Sequence, residues 1–467
     1  MKSKFAAFVM LFVAVFVLAS CLSTDDDYTY TNDSALSSFK ITGGKKYTHL
    51  KSSTGADSIV SDTISLSGYK FYIDQVKGEI YNPDSLPCGV DASKLVCTTT
   101  GTAGMVLLKS ITSDTLGYIT SSDSVDFSVD RQLHVYSNSG LAVRKYTVKV
   151  NIHKEYPDSF VWRAMPVCDE LKSLKAQRTV TVGNKALLFG TDGNETLVFA
   201  SDGNGWTACT PDFNHSLAAE AYNGVVAKEG KAYLSDEGNI MSTTDGSHWT
   251  LMASATGITR LVAASSFRIY GYAADGRLMA SADNGTTWEV STIDDELSLL
   301  PNGETAYTAY PVVTNQLTER ILFLGTRPSV DKDITIWGKI DEGAEYSDNQ
   351  PWAYYNVSAD NRHTAPQLTG ISLVRYDSKV YLFGTNADAK HVYYTSRDNG
   401  ITWFSDSTFA VPATFADGIS AEALPKAVSF AVDSDNVLWL VNAQNGMTWR
   451  GRINRLGWKK EQTDFTE

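Results

Sequence analysis

From about residue 180 onward the chain repeats one hydrophobic signature. A short, nearly unbroken apolar run is followed by polar turn residues and then by a tryptophan, and the cycle begins again. The runs are ALLFG at 186–190, AYL at 232–234, IYGY at 269–272, ILFLG at 321–325, VYLFG at 380–384 and VLWL at 437–440. They lead to Trp206, Trp249, Trp288, Trp352, Trp403 and Trp458, spaced 43, 39, 64, 51 and 55 residues apart. Such a period, with four short strands per unit, is that of a β-propeller. Each unit reads as an inner strand, a second apolar strand, a polar turn, a third strand, a hairpin, and an outer strand beginning at the tryptophan. This predicts six blades over residues 156–467. A seventh follows only if SFVWR at 159–163 is the outer strand of a further blade, and no partner strands for it are visible. Residues 33–155 follow a different grammar: short alternating runs such as ALSSFKI at 35–41, YKFYI at 69–73 and KYTVKVNI at 145–152 bury one side chain in two. Regular short strands without helical periodicity predict a β-sandwich. The chain is therefore expected to be all-β.

The hairpins before the tryptophans carry a recurring motif: SADNGTTW at 281–288 and SRDNGITW at 396–403, with shorter forms TDGSHW at 244–249 and SDGNGW at 201–206. DNQPW at 348–352 and NRLGW at 454–458 are more degraded. The carboxylates of Asp202, Asp245, Asp283 and Asp398 suit acceptance of backbone N–H groups within the turn. Gly285 and Gly400 supply positive φ, and Trp288 and Trp403 supply rings to bury between blades. One acid per hairpin cannot assemble the several converging oxygens a metal needs. The motif resembles the Asp-box, or bacterial neuraminidase repeat, of sialidase-like propellers. The end of the first domain, through FSV at 127–129, HVY at 134–136 and the strand around Tyr146, resembles immunoglobulin-like domains of Bacteroides-type surface lipoproteins.

The amino terminus sets the expected compartment. Lys2 and Lys4 precede an uncharged apolar run at 5–18, too short to span a bilayer, and LASC at 18–21 closes it. This predicts a signal peptide over 1–20 and resembles a lipobox with Cys21 as the lipidated residue. A tether over 21–32 follows, whose LSTDDD at 22–27 resembles the surface-export tag of Bacteroides-type lipoproteins. The expected location is the outer membrane, facing outward, held by acyl chains rather than a spanning helix. A formal charge of −13 without a basic block argues against nucleic acid as a partner. Outside the cytoplasm two bridges are open to the remaining cysteines, Cys88–Cys97 and Cys168–Cys209, and so is the alternative of four free thiols. Several Asp-Ser/Thr-aliphatic triplets before residue 126 resemble O-glycosylation acceptors, though turn and strand grammar yields the same tripeptides.

If the hairpins occupy one end of the propeller, a ligand belongs at the other. Inner-strand starts there are expected to carry Arg178, Glu220, Tyr222, Arg260, Tyr310 and Lys426, and long loops to add Asp212, His215, Asp360, Arg362 and His363. Arginine forks suit a carboxylated or sulfated glycan, whereas mutual neutralisation with Glu220 and nearby acids would leave no ligand site. Sialidase catalysis would require an Arg-Ile-Pro motif, for which FRIY at 267–270 is the nearest match. It would also need three arginines and a Tyr–Glu pair, for which Tyr310 with Glu220 or Glu304 is the available choice. No catalytic residues, metal ligands or cofactor motif emerge. The whole chain resembles surface lipoproteins that join an immunoglobulin-like domain to an Asp-box propeller. The expectation is a non-enzymatic protein recognising a glycan or protein, with a sialidase-like hydrolase or an envelope assembly factor as alternatives.

Overall fold

A computed structural model of the chain describes residues 30–51, 57–327, 332–343, 350–356, 361–419 and 424–458. The proposed signal segment, Cys21, and the residues Asp348, Asn349 and Asp360 lie outside them. The chain divides into two compact units, one ending at Tyr156 and the other running from Pro157 to Trp458.

In the first unit two sheets share one core. Strands Asp57–Ser65, Leu36–Lys51, Val90–Gly101 and Ser124–Val125 form the smaller sheet, in that order. The larger runs Tyr72–Asp74, Glu79–Tyr81, Val143–Lys149, Arg131–Tyr136, Met105–Lys109 and Leu116–Tyr118. Pairing is antiparallel except between Val143–Lys149 and Glu79–Tyr81. Alternation works as expected: Leu133 and Val135, then Tyr146 and Val148, turn inward onto Phe39, Ile41 and Leu95. The run at 69–73 is the exception, because only Tyr72–Asp74 is extended.

The second unit consists, among the described residues, of six sheets with four strands each, one of them extended by a fifth short strand. The predicted apolar runs become the second strand of each sheet, as in Lys185–Thr191, Lys379–Thr385 and Leu438–Asn442. Their burial is almost unbroken rather than alternating, because a neighbouring sheet covers each face. The innermost strands are Ala176–Val182, Val226–Lys228, Ile258–Ala264, Thr305–Val312, Thr369–Tyr376 and Val428–Val432. Each touches the next, and the last touches the first, which closes the ring of a β-propeller.

Closure corrects one expectation. Arg163–Ala164, preceding all other strands of this unit, pairs with Arg450 and Trp449 and forms the outer strand of the sixth sheet. Segment 159–163 is therefore no relic of a further repeat. Trp162, not Trp458, holds the position before the outer strand, and its indole N–H donates to Ala410 O at 3.0 Å. Trp458 instead follows the 3₁₀ turn Asn454–Gly457. That turn clasps the seam: Arg455 binds both oxygens of Asp377 at 2.6 Å and Asp158 at 2.8 Å. Its main-chain N–H donates to Pro157 O.

Candidate functional site

The hairpins ending at the tryptophans are closed hydrogen-bond systems. In the third sheet, Asp283 Oδ1 accepts from Ser281 Oγ and Thr287 N, both at 2.8 Å, and Oδ2 accepts from Thr287 Oγ1 at 2.6 Å. Gly285 N donates back to Ser281 Oγ, and the Trp288 indole donates to Gly285 O. The fifth sheet repeats every bond with Asp398, Ser396, Thr402, Gly400 and Trp403. Asn284, Gly285, Asn399 and Gly400 all have positive φ. A Cβ at Gly285 would lie 2.6 Å from Ile240 of the second sheet, and one at Gly400 2.8 Å from Leu322 of the fourth, so each hairpin presses on the preceding sheet.

Asp245 works similarly with Ser247 N, His248 N and the His248 ring. Asp202 holds only Asn204, while Trp206 turns to Thr448 of the sixth sheet. Burial alone would raise the carboxyl pKa values of Asp245, Asp283 and Asp398; these hydrogen bonds outweigh it and hold all three below the usual range, Asp245 at about 2.

All four described cysteines are free, which corrects the proposed bridges. Cys97 faces the core of the first unit, while Cys88 precedes its strand. Cys168 packs between the sixth and first sheets and donates to Glu170 at 3.2 Å. Cys209 lies instead against the second sheet, on Asp245 O.

At the opposite end of the ring, the axis is closed. Arg178, on the first inner strand, donates to Val225 O and Thr305 O. Glu304 accepts from Gly370 N at 2.7 Å and Ile371 N at 3.2 Å, and pairs with Lys426 at 3.5 Å. With Gln177 and Tyr222 these groups leave a space of about 30 Å³. Burial, then the nearby Arg260, lower the Arg178 pKa to about 10. Burial, then Glu220 and Glu304, raise that of Tyr222 to about 12.

The open space lies off the axis. Between the loops of the second and third sheets is a cleft of about 600 Å³, whose polar lining includes Glu220, Asn223, Glu237, Arg260 and Asn302. Its wall is built on Tyr272, whose hydroxyl donates to Pro301 O at 3.0 Å and whose ring carries Arg260 at 5.5 Å. Arg260 also donates to Gly303 O. Five expected residues thus gather at this end: Glu220 and Arg260 in the cleft, Arg178, Tyr222 and Lys426 at the axial mouth. Glu304, Tyr272 and Asn302 join them. Tyr272 was hidden within an apolar run, where its sequence context marks it as core.

Other expected residues belong elsewhere. Tyr310 is the sixth residue of its inner strand, so it lies at the hairpin end, where it donates to Asn399 and stacks under Arg375. Asp212 accepts from Trp249 N, and His363 O from Trp403 N; both fasten one sheet to the next. His215 stacks on Phe213 beside Asp236, and Arg362 is exposed. Arg268, of the FRIY run, forms a buried ion pair with Asp341 between the third and fourth sheets, away from the loop end. Among the described residues no cluster of His, Cys, Asp or Glu is placed to hold a metal ion.

The chain aligns with several solved structures at low sequence identity. A Bacteroides thetaiotaomicron structural-genomics protein aligns over 77% of this chain and 94% of its own, at 9% identity and TM-score 0.42. YCF48 from Cyanidioschyzon merolae aligns over 62% and 98%, at 13% identity and TM-score 0.32. The SapL1 lectin, solved with α-methyl fucoside, aligns over 59% and 91%, at 13% identity and TM-score 0.38. No curated protein matches the chain in sequence. Two family models do match, the DUF6242 N-terminal domain over residues 39–150 and the DUF6242 β-propeller domain over 156–461. The chain belongs to the DUF6242 family.

Proposed function

We propose that this protein is an outer-membrane lipoprotein displayed on the cell surface through Cys21. In this reading an immunoglobulin-like domain is the stalk, and a six-bladed Asp-box propeller binds a glycan without cleaving it. The supporting observation is the contrast at the loop end. The off-axis cleft is open and lined by Glu220, Asn223, Glu237, Arg260 and Asn302, whereas the charged groups on the axis are engaged by main chain or by one another. A sugar presents vicinal hydroxyls that carboxylates and amides can bracket, and Tyr272, Leu300 and Pro301 offer apolar surface beneath. Arg260 already donates to Gly303 O and lies over the Tyr272 ring, so a neutral glycan suits the cleft better than a carboxylated or sulfated one.

One observation favours a sialidase-like hydrolase: Tyr222 lies within the field of both Glu220 and Glu304. Hydrolysis, however, needs two reacting groups flanking room for a sugar ring. Beside Glu304 there is room for about one water.

A panel of neutral, sialylated and sulfated glycans, read separately for binding and release, tests the reading. The expected result is retention of an intact neutral glycan, weakened at least tenfold by Asn302→Ala. Release of a sugar that stops in Tyr222→Phe would establish the hydrolase instead.

A further inference from the structure

Below its closed mouth the axis widens. A cavity of about 330 Å³ lies between the innermost strands and extends toward their hairpin ends, with Val180, Ala227, Ala264, Ala309, Val374 and Phe430 on its wall. It follows four residues of each of the strands Ala176–Val182, Thr305–Val312 and Thr369–Tyr376, roughly 10 Å at about 3.3 Å per residue. Five of the wall's hydroxyls are already bonded. Thr179 Oγ1 and Ser429 Oγ share a hydrogen bond at 2.7 Å, and Thr181 donates to Val432 O at 2.7 Å. Tyr307 donates to Ala227 O, Ser372 accepts from Phe430 N, and Ser266 donates to Glu319. Lys228 and Glu229 pair at 2.9 Å beside the entrance. Between these bonded groups Val180, Ala227, Ala264, Ala309, Val374 and Phe430 offer a guest apolar side chains.

Arg178 is different. It stands at the closed end, lining both this cavity and the small mouth beyond. It is half-buried. Two of its five N–H groups reach main-chain carbonyls, and among the described residues it has no ion pair. The acid at the mouth, Glu304, pairs with Lys426 instead. A half-buried guanidinium with no ion pair of its own is costly, and a planar carboxylate is its best complement.

We infer that the axial channel is a second binding site, separate from the off-axis cleft, for a small apolar carboxylate of the medium-chain fatty-acid class. The carboxylate meets Arg178 at the closed end, and the alkyl body fills the lumen toward the hairpin end.

Calorimetric titration of the full chain with sodium octanoate, octanol and sodium sulfate tests this inference. Octanoate is expected to bind at least tenfold more tightly than either control. Arg178→Gln should erase its advantage over octanol, and Ala309→Phe, which fills the lumen, should abolish binding while glycan binding at the cleft is unchanged. Equal affinities for octanoate and octanol, a preference for sulfate, no octanoate binding, or undiminished binding in Ala309→Phe would each overturn it. If Arg178→Gln fails to fold, the octanoate preference of the unaltered chain and the Ala309→Phe loss decide the matter.

Discussion

The two ends of the propeller use the same residue types to opposite effect. At the hairpin end, Asp283 and Asp398 sit in identical networks, and each donor and acceptor of the turn meets a partner a few residues away. At the loop end, no two sheets are alike. Glu304 reaches across to residues 370 and 371, Arg178 to the second and fourth sheets, and one cleft stays open between the second and third. Repetition marks a packing device that several sheets share. Irregularity marks where one sheet does something its neighbours do not.

Glycine substitutions break this comparison most forcefully. Gly400 and Gly276 both have positive φ, but a Cβ at Gly400 meets Leu322 while one at Gly276 meets open space. Gly400→Ala should cost about 3 kcal/mol, strain and overpacking together, against about 1 kcal/mol for Gly276→Ala. Thermal or denaturant unfolding of the two variants checks the difference. Next, Asp398→Ala should cost about 1–2 kcal/mol by orphaning the Thr402 and Ser396 donors, with glycan affinity unchanged. The exposed Glu220→Gln should leave stability within about 0.5 kcal/mol while weakening glycan binding.

How much of this was legible beforehand follows from the range of the interactions. The two Asp-Asn-Gly hairpins could be read because the bonds made by Asp283, Asp398 and their glycines stay within eight residues. Strand Arg163–Ala164 could not be placed, since its partners are at 449 and 450 and nothing local announces a pairing across the whole ring. Tyr310 lies at the other end of its sheet from the one expected because its inner strand begins five residues earlier, at Thr305. The engagement of Arg178 and Arg260 was invisible for another reason: main-chain carbonyls accept their hydrogen bonds, and every residue has one.

Smaller effects sharpen the picture. Arg455→Met removes the seam clasp, partly exposed on the arginine side, and should lower stability by about 1 kcal/mol without changing binding. The pH dependence should also separate the two ends. Asp245, Asp283 and Asp398 have depressed pKa values in the folded state, so their contribution is present above the ordinary carboxylate pKa of about 4 and is lost as pH falls toward about 2. The stability gap between the natural chain and an Asp283→Asn, Asp398→Asn double variant should therefore be full at pH 6 and shrink below about pH 4. A gap independent of pH would contradict the assigned role of these carboxylates.

The most direct test of the account is amide hydrogen exchange of the full chain, with and without a glycan retained from the panel. Protection is predicted over residues 218–224, 235–239, 272–276 and 297–302, the loops around the off-axis cleft, with no change over 281–288 and 396–403. Protection centred on the two Asp-Asn-Gly hairpins, with the cleft loops unaffected, would contradict it.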